Sequence, residues 1–507
     1  MVVMLLVYTL IPRSAIFQTD DTWNKKSGND RTYYEFVQYQ KYGYLEYASY
    51  SNFLSAKYKE LYGEKYDSNS DYIADKNAIK YKDTYLDNDS VQEFIKLYEK
   101  KGYEITYLSP ETYKNGRPKA GSTAYLLASK ESNPVLRLWN YVKNFISFET
   151  IHDVDDPNLT EENRYVRLEK DPYGLFAVVG SGTTHKYLLY FDGRFPFIHQ
   201  NWMHINLGVS FTRFRGEEIT TVINRQQGDM KTTRQQYPNM VGTDEYVDTA
   251  INFHSLTYNP KPTEIEKTEF PDNYTSYQYS YVGLSMIENS FVIGLIATAL
   301  SYLLGIPLGI LMARRKDKLA DHLGNIYIIF IMAVPSLAYI FMFASIGTRV
   351  FGLPYKFAQA QVAILGYILP TISLALPSVG SLMKWTRRYM IDQMNSDYVK
   401  FARAEGLSER EIYRIHISRN AMIYLVHGIP GSILGCLVGA IITERVYSVP
   451  GVGNLLTNAI NQHDNGIIVA CTVFYTFLSI LSIILGDLLL AKYDPRISLN
   501  SSKGGGR

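Results

Sequence analysis

The sequence predicts a polytopic α-helical membrane protein that carries a large α+β domain ahead of most of its membrane helices. Charge is distributed unevenly: residues 1–280 hold 32 Lys and Arg and 37 Asp and Glu, whereas residues 281–507 hold only 19 and 12. The second part also contains five windows of 22 to 27 residues without Asp, Glu, Lys or Arg. Because a bilayer-spanning helix needs ~20 apolar residues, these windows exclude a single soluble globule. A net charge of only +2 argues against a nucleic-acid binder.

The first element is an apolar N-terminal run that Pro12 and Arg13 end. Eleven residues at ~1.5 Å each span roughly 16 Å, about half of a bilayer. We therefore expect residues 1–13 to be part of a first transmembrane helix whose beginning is missing from this chain. A short signal-like or buried segment is the alternative, although no basic residue precedes the run.

Residues 14–280 are polar and contain 29 of the 43 tyrosines, which predicts a water-facing domain. Residues 33–50 favour a helix. Ser90 and Glu93 have the spacing of a capping box, which predicts a second helix that ends before Gly102. Strands are predicted at residues 104–108, 175–179 and 186–191.

The membrane part is predicted to occupy residues 281–497, followed by a tail at 498–507. Four of the five uncharged windows contain proline, which membrane helices tolerate when neighbouring groups satisfy the freed backbone. The windows are residues 289–313, 323–348, 357–383, 420–443 and 465–486.

Basic residues near the windows predict the orientation. Sixteen Lys and Arg lie on one side, against only Arg349, Lys356 and Arg445 on the other. Because short cytoplasmic loops are enriched in Lys and Arg, the first side should be cytoplasmic. The C-terminus then lies in the cytoplasm, and residues 14–280 are extracellular.

The cytoplasmic loop of residues 384–419 has the pattern of a docking element. Ser396 or Asp397 can cap a short helix over residues 398–405 that Gly406 ends, and Ser408 with Glu411 forms a second capping box. Small side chains at Ala402 and Ala404 would let another protein approach the backbone closely. The alternative is a solvated amphipathic loop at the inner leaflet.

Chemistry-bearing motifs are missing from the sequence. It contains no C-x-x-C, no H-E-x-x-H and no G-x-x-x-x-G-K-[ST] phosphate loop. Both cysteines, Cys436 and Cys471, lie in apolar runs. We therefore expect no enzymatic activity, no ATP hydrolysis by this chain, no catalytic residues and no metal site.

Several segments resemble one family. The run D-Y-V-K-F-A-R-A-E-G-L-S at residues 397–408, followed by H-I-S-R-N-A at 416–421, resembles the coupling loop of binding-protein-dependent ABC importer permeases. It is most similar to the oligopeptide and dipeptide permease group. Residues 206–210, 443–453 and 494–496 resemble further motifs of that group, and residues 179–190 and 195–201 resemble the outer insert of the AmiC/OppB-type subunit of streptococcal oligopeptide importers. Lys400 stands where the general pattern has Glu, and Tyr424 where the group usually has proline.

This resemblance implies a type I ABC importer permease bundle of about six transmembrane helices, the first truncated, with the α+β domain inserted between helices 1 and 2. A second homologous permease would complete the pore, and two ATPase subunits would bind ATP, so this chain would hold no cofactor. An extracellular peptide-binding lipoprotein would deliver oligopeptides, and membrane lipid would surround the helices.

The resemblance also implies functional residues. Those that would couple to the ATPase are Lys400, Ala402, Arg403, Ala404, Glu405 and Gly406. Those that would lie at the outer mouth are Glu444, Arg445, Pro450 and Gly451. Glu444 and Arg445 are equally compatible with a local ion pair or an interfacial anchor.

Two other functions remain open from the residues. An ion-coupled secondary transporter should place ionisable residues near the membrane midplane, but His427 is the only ionisable side chain that binds protons near neutral pH within the five windows. A membrane-tethered peptide sensor would need a signalling domain, and the inner loops are too short to contain one.

Overall fold

The computed structural model describes residues 17, 21–113, 119, 122–181, 184–191, 197–210, 212, 214, 216–235, 245–248, 250–254, 257–279 and 281–493. The predicted helix fragment at residues 1–13 and the predicted tail at 498–507 lie outside these residues. The chain divides into two compact units. The first comprises Met1–Phe145, Ser210–Gly216 and Gln462–Asn465, and the second comprises Ile146–Val209, Glu217–Asn461 and Gly466–Arg507.

The first unit packs helices on a three-stranded antiparallel sheet of order β1-β3-β2. Its aromatic and aliphatic core includes Tyr50, Leu54, Phe94 and Leu126. The elements are α1 (Asp21–Lys25), α2 (Gly28–Lys41), β1 (Leu45–Ser49), α3 (Tyr50–Tyr62), α4 (Ser70–Ala78), α5 (Asp89–Lys100), β2 (Glu104–Leu108), β3 (Tyr125–Glu131) and α6 (Pro134–Lys143).

Two local predictions in this unit are corrected. The helix expected over residues 33–50 ends at Lys41, because Leu45–Ser49 pairs with β3 as a strand. Asn88, rather than Ser90, caps α5: its side chain accepts a hydrogen bond from the Val91 N–H, while the Ser90 hydroxyl donates to Asp75. The predicted strand at 104–108 and the helix end before Gly102 are confirmed.

Two distant segments also belong to the first unit. The fully buried Asp464 carboxylate accepts a hydrogen bond from the Ser210 hydroxyl at 2.6 Å, and Asn465 Nδ2 donates to the Tyr44 hydroxyl at 2.7 Å. Residues far apart in sequence are therefore fixed together by buried polar contacts.

The second unit begins with a strand-rich part. β5, β6, β7 and β8 form an antiparallel sheet in that order, and β4 pairs with β9. The predicted strands at 175–179 and 186–191 are confirmed as β6 and β7, each within one residue at either end. The elements are β4 (Ile146–Phe148), β5 (Val166–Lys170), β6 (Phe176–Gly180), β7 (Tyr187–Phe191), β8 (Ile198–Gln200), β9 (Met203–Ile205), α7 (Ile219–Asn224), β10 (Thr232–Gln235), β11 (Glu245–Asp248), β12 (Ala250–His254), α8 (Glu264–Glu269) and β13 (Thr275–Tyr279).

The second unit continues as a bundle of long apolar helices. Gly305 and Gly309 of α9 face Leu382 and Thr386 of α12, and these small residues let the two helices pack closely. The elements are α9 (Met286–Arg314), α10 (Leu319–Ala333), α11 (Ser336–Phe351), α12 (Ala363–Met394), α13 (Asp397–Ala404), α14 (Glu409–Glu411), a π-helix (Ile412–Ser418), α15 (Arg419–His427), α16 (Ile429–Tyr447), α17 (Val452–Asn461) and α18 (Asn465–Tyr493).

Within the described part of the chain, four helices are long and apolar enough to cross a membrane: α9, α12, α16 and α18. The uncharged window at residues 323–348 is not one straight helix. It breaks at Pro335 into α10 and α11, which meet at 114°, and counting this bent pair as one span gives five. Hydropathy indicates how long such an apolar window is, but not whether the helix within it is straight or bent.

Candidate functional site

The predicted docking element forms as two short helices, here called the docking segment (residues 396–411). Ser396 stands at the N-cap of α13, although its hydroxyl donates to the Gln393 carbonyl instead of capping. Gly406 adopts φ +81°, a left-handed conformation that favours glycine and ends α13. The capping box of Ser408 and Glu411 opens α14, with the Ser408 hydroxyl 2.7 Å from Glu411 Oε2. The local sequence signals therefore give the backbone that they predict.

One face of α13 is buried against the chain itself. Val399 and Ala402 pack in a cluster with Met390, Ile412 and Ile417. Ala402 is only 4% exposed. The expectation that Ala402 faces a partner is therefore corrected: its small side chain lets α13 lie close to α12 and the π-helix.

The opposite face of α13 carries the exposed groups. Lys400, Arg403 and Ala404 are exposed, as are Glu405 and Gly406 beyond its end. Sequence reasoning overlooked the apolar member of this face, Phe401, whose side chain is 70% exposed. The sequence could have indicated this exposure, because Phe401 lies two residues after the buried Val399 and therefore on the other side of the helix.

The charged groups of the docking segment pair within the chain. Lys400 Nζ lies 2.8 Å from Asp397 Oδ1, and Arg403 Nε lies 2.9 Å from Glu409 Oε1. The hydrogen bond from Lys400 holds the pKa of Asp397 below its usual value, and the hydrogen bond to Glu409 raises the pKa of Arg403. All four side chains are exposed, so these pairs can exchange for partner groups at low cost.

The second predicted site lies in the α16–α17 hairpin (residues 429–461), where Glu444 is fully buried. Its carboxylate accepts hydrogen bonds from the Ser290 hydroxyl at 2.6 Å and from the Asn454 N–H at 3.0 Å. Ser290 Oγ in turn accepts from the Val452 N–H at 2.9 Å. One carboxylate thus fixes the start of α17 to α9.

The neighbours of Glu444 explain the sequence of the turn. Asn289 Nδ2 donates to the Pro450 carbonyl at 2.9 Å. A Cβ atom at Gly451 would overlap the Glu444 carboxylate, so only glycine fits there. Arg445 takes a different partner from Glu444: its Nη1 donates to Asn458 Oδ1 at 2.6 Å. A mutual Glu444–Arg445 ion pair is therefore not what holds the hairpin.

A buried ion pair between α10 and α12 was not anticipated from the sequence. Arg387 donates to both oxygens of Asp321, with Nε–Oδ1 at 2.5 Å and Nη2–Oδ2 at 2.7 Å. Asp321 is buried, and such a two-bond geometry favours a fixed orientation. Local sequence does not indicate this pair, because its two residues lie 66 positions apart.

Long apolar helices and a connecting docking segment with an exposed face define a polytopic membrane protein. A family model described as "Binding-protein-dependent transport system inner membrane component" matches residues 305–499. The oligopeptide transport system permease protein AmiC of Streptococcus pneumoniae is 35% identical over 99% of this chain and 95% of its own length. The dipeptide transport system permease protein DppB of Lactococcus lactis is 32% identical over 41% of this chain and 69% of its own. A chain of the inward-facing methionine ABC transporter MetNI has a similar structure over 41% of this chain and 94% of its own length. The identity is 12% and the TM-score is 0.34.

The chain belongs to the family of binding-protein-dependent transport system inner membrane components. The whole-length similarity to AmiC confirms the resemblance that the sequence motifs indicate. A permease fold with several apolar helices and a large N-terminal α+β domain is likewise confirmed.

Proposed function

We propose that this chain is the permease subunit of an ABC importer that translocates oligopeptides across the cell membrane. The observation that carries the proposal is the 35% identity to an oligopeptide permease over 99% of the chain, strand-rich part included. Dipeptide permeases match only 41–42% of the chain, and another oligopeptide permease, AppB of Bacillus subtilis, matches 42%. The N-terminal α+β domain therefore links this chain to AmiC in particular.

The proposed topology has five membrane spans within the described residues. They are α9, the bent pair α10–α11, α12, α16 and α18. The excess of Lys and Arg beside the docking segment supports a cytoplasmic position for that segment and for the C-terminus. Residues 14–280 then form an extracellular domain.

The docking segment is the proposed coupling site for an ATPase subunit. Phe401 is exposed on α13 as an apolar anchor, and exposed beside it in sequence are the charged residues Lys400, Arg403 and Glu405 and the small residues Ala404 and Gly406. An exposed aromatic side chain close to Arg and other charged residues has the composition of an interface hot spot. Ala402 supports the coupling from within the chain rather than by touching the partner.

Force on α13 has a direct path into the bundle. Val399 and Ala402 on its inner face pack against Met390 of α12 and share one cluster with Ala313 of α9. A partner that displaces Phe401 therefore moves two membrane helices together. Such a packed element can change between two arrangements that open the pore to either side.

The chain itself would neither bind nor hydrolyse ATP in this assembly, and it would hold no cofactor. Two ATPase subunits, a second permease and an extracellular peptide-binding lipoprotein complete the importer. The α16–α17 hairpin, with Glu444, Arg445, Pro450 and Gly451, would form part of the outer mouth. A membrane-tethered sensor is less well supported, because the longest helices of this chain pack together as a bundle.

Phe401→Ala tests the proposal against Phe351→Ala, a matched control. Phe351 is 71% exposed but ends α11, away from the docking segment in sequence. The wild-type chain, purified in mild detergent from cells that contain the whole importer, should retain the ATPases and a second permease. Phe401→Ala should lower ATPase retention and labelled-peptide uptake roughly tenfold or more, at unchanged membrane abundance.

Phe351→Ala should leave ATPase retention and uptake unchanged. Full ATPase retention in Phe401→Ala would mean that the docking segment is a solvated connector. ATP hydrolysis by the purified chain without partners would overturn its role as a passive permease.

A further inference from the structure

A histidine and a carboxylate are brought together by the pairing of β4 with β9. Ser147 lies directly opposite His204 in this antiparallel pair. Glu149 follows two residues after Ser147, and its N–H donates to the Trp202 carbonyl at 2.8 Å. Because residues two apart in an extended chain point to the same face, Glu149 and His204 share a face.

A second histidine reaches the same carboxylate from the residues before β7. The His185 N–H donates to Glu149 Oε1 at 2.6 Å, which holds both backbone and carboxylate in place. His185 Nδ1 lies 2.7 Å from Glu149 Oε2, and His204 Nε2 lies 3.5 Å from the same oxygen. One potential ligand atom from each of the three residues lies within 4.8 Å of the other two.

We propose that Glu149, His185 and His204 bind a divalent zinc ion. Zinc takes imidazole nitrogen at ~2.0–2.1 Å and carboxylate oxygen at ~2.0–2.2 Å, so tetrahedral ligands lie roughly 3.3 Å apart. The two nitrogen–oxygen distances of 2.7 and 3.5 Å bracket that spacing. The ion would take the place of the proton between His185 Nδ1 and Glu149.

Burial and ligand type favour this ion over a hard cation. The Glu149 side chain is only 4% exposed, whereas that of His204 is 42% exposed, so a fourth position for water lies on the solvent side. Two imidazoles and one carboxylate suit zinc and similar transition metals, whereas magnesium and calcium prefer oxygen ligands. The three residues are 36 and 19 positions apart in sequence, so no short motif indicates them.

This site is independent of the proposed translocation. It lies wholly within the strand-rich part of the second unit and uses no residue of the docking segment or the α16–α17 hairpin. Bound zinc would link the β4–β9 pair to the residue that precedes β7 in the four-stranded sheet. Metal would therefore stabilise the local arrangement of two sheets.

Zinc binding to the full-length chain in detergent tests the proposal, with calorimetric titration of ZnCl₂ after chelator treatment. We expect one zinc ion per wild-type chain and no comparable binding of MgCl₂. His204→Ala, which removes a half-exposed ligand, should weaken zinc affinity at least tenfold, and Glu149→Gln should do the same. His199→Ala, in β8 and outside the cluster, is the matched control and should bind as the wild type does.

A His–Glu hydrogen-bond cluster without a metal role is the competing explanation. It is supported, and the zinc proposal overturned, if the wild-type chain binds no zinc. The same conclusion follows if His204→Ala and Glu149→Gln retain wild-type affinity while their thermal unfolding shows that both remain folded. A variant that unfolds is replaced by His204→Gln, whose amide keeps a polar side chain but removes the imidazole ligand.

Discussion

The docking segment and the α16–α17 hairpin each join two helices at a turn, but they treat their charged groups in opposite ways. Lys400, Arg403 and Glu405 remain exposed on the docking segment. Glu444 of the hairpin is fully buried and hydrogen-bonded to groups of α9 and α17. Exposed charges leave a surface available to a partner, whereas a buried carboxylate fixes the chain to itself. Substitutions of exposed residues should therefore affect partner binding, whereas substitutions of buried residues should affect stability.

Glu444→Leu should have a large effect, and the effect should be on stability. The substitution leaves the Ser290 hydroxyl and the Asn454 N–H without their buried acceptor, and each such group costs about 1–3 kcal/mol. We expect loss of about 3 kcal/mol or more from the free energy of unfolding. Thermal unfolding in detergent and abundance in the membrane measure this loss.

Arg445→Ala is the matched control for the hairpin, because Arg445 makes an exposed hydrogen bond to Asn458. It should change stability by no more than about 0.5 kcal/mol. Glu444→Gln, which keeps one acceptor oxygen, should fall between the two. Equal stability of Glu444→Leu and Arg445→Ala would remove the contrast between hairpin and docking segment.

The same substitution at two positions of α13 sharpens the comparison within the docking segment. Ala402→Asp places a carboxylate among Val399, Met390 and Ile412, and an uncompensated buried charge costs about 3–5 kcal/mol. We expect a sharp fall in membrane abundance. Ala404→Asp adds the same group to the exposed face, so abundance should stay normal while ATPase retention falls.

Immunoblots of membranes measure abundance, and co-purification measures ATPase retention. If Ala402→Asp is as abundant as wild type but uncoupled, Ala402 faces the partner after all. If Ala404→Asp lowers abundance as much as Ala402→Asp, the two faces of α13 do not differ as described.

The sequence predicts those parts of the docking segment that depend on interactions between residues close together in the chain. The Ser408–Glu411 capping box and the glycine end at Gly406 involve residues within three positions of each other, and both form as expected. The face that α13 buries is set by Met390 and Ile417 on other elements, so spacing within α13 could not assign Ala402. The partner of Glu444, Ser290, is 154 residues away.

The same reasoning explains the misassigned elements. Apolar composition indicates where a membrane window lies, but not that its helix turns by 114° at Pro335. Residues 45–49 form a strand because they pair with β3, more than 70 residues further on. Long-range pairing therefore overrides the local helix preference at residues 45–49.

The smallest predicted effect concerns the Arg403–Glu409 pair, whose two side chains are 43% and 62% exposed. Exposed ion pairs contribute about 0.2–1 kcal/mol, so a double-mutant cycle on unfolding should give a coupling energy below about 1 kcal/mol. Arg403→Ala should nevertheless weaken ATPase retention, more strongly at low salt than at ~1 M, where charges are screened beyond roughly 3 Å. Glu409→Ala removes the intramolecular partner and should leave retention at or above the wild-type level, because Arg403 is then released for the ATPase. Equal losses of retention in both variants would instead identify the pair as an internal brace of the docking segment.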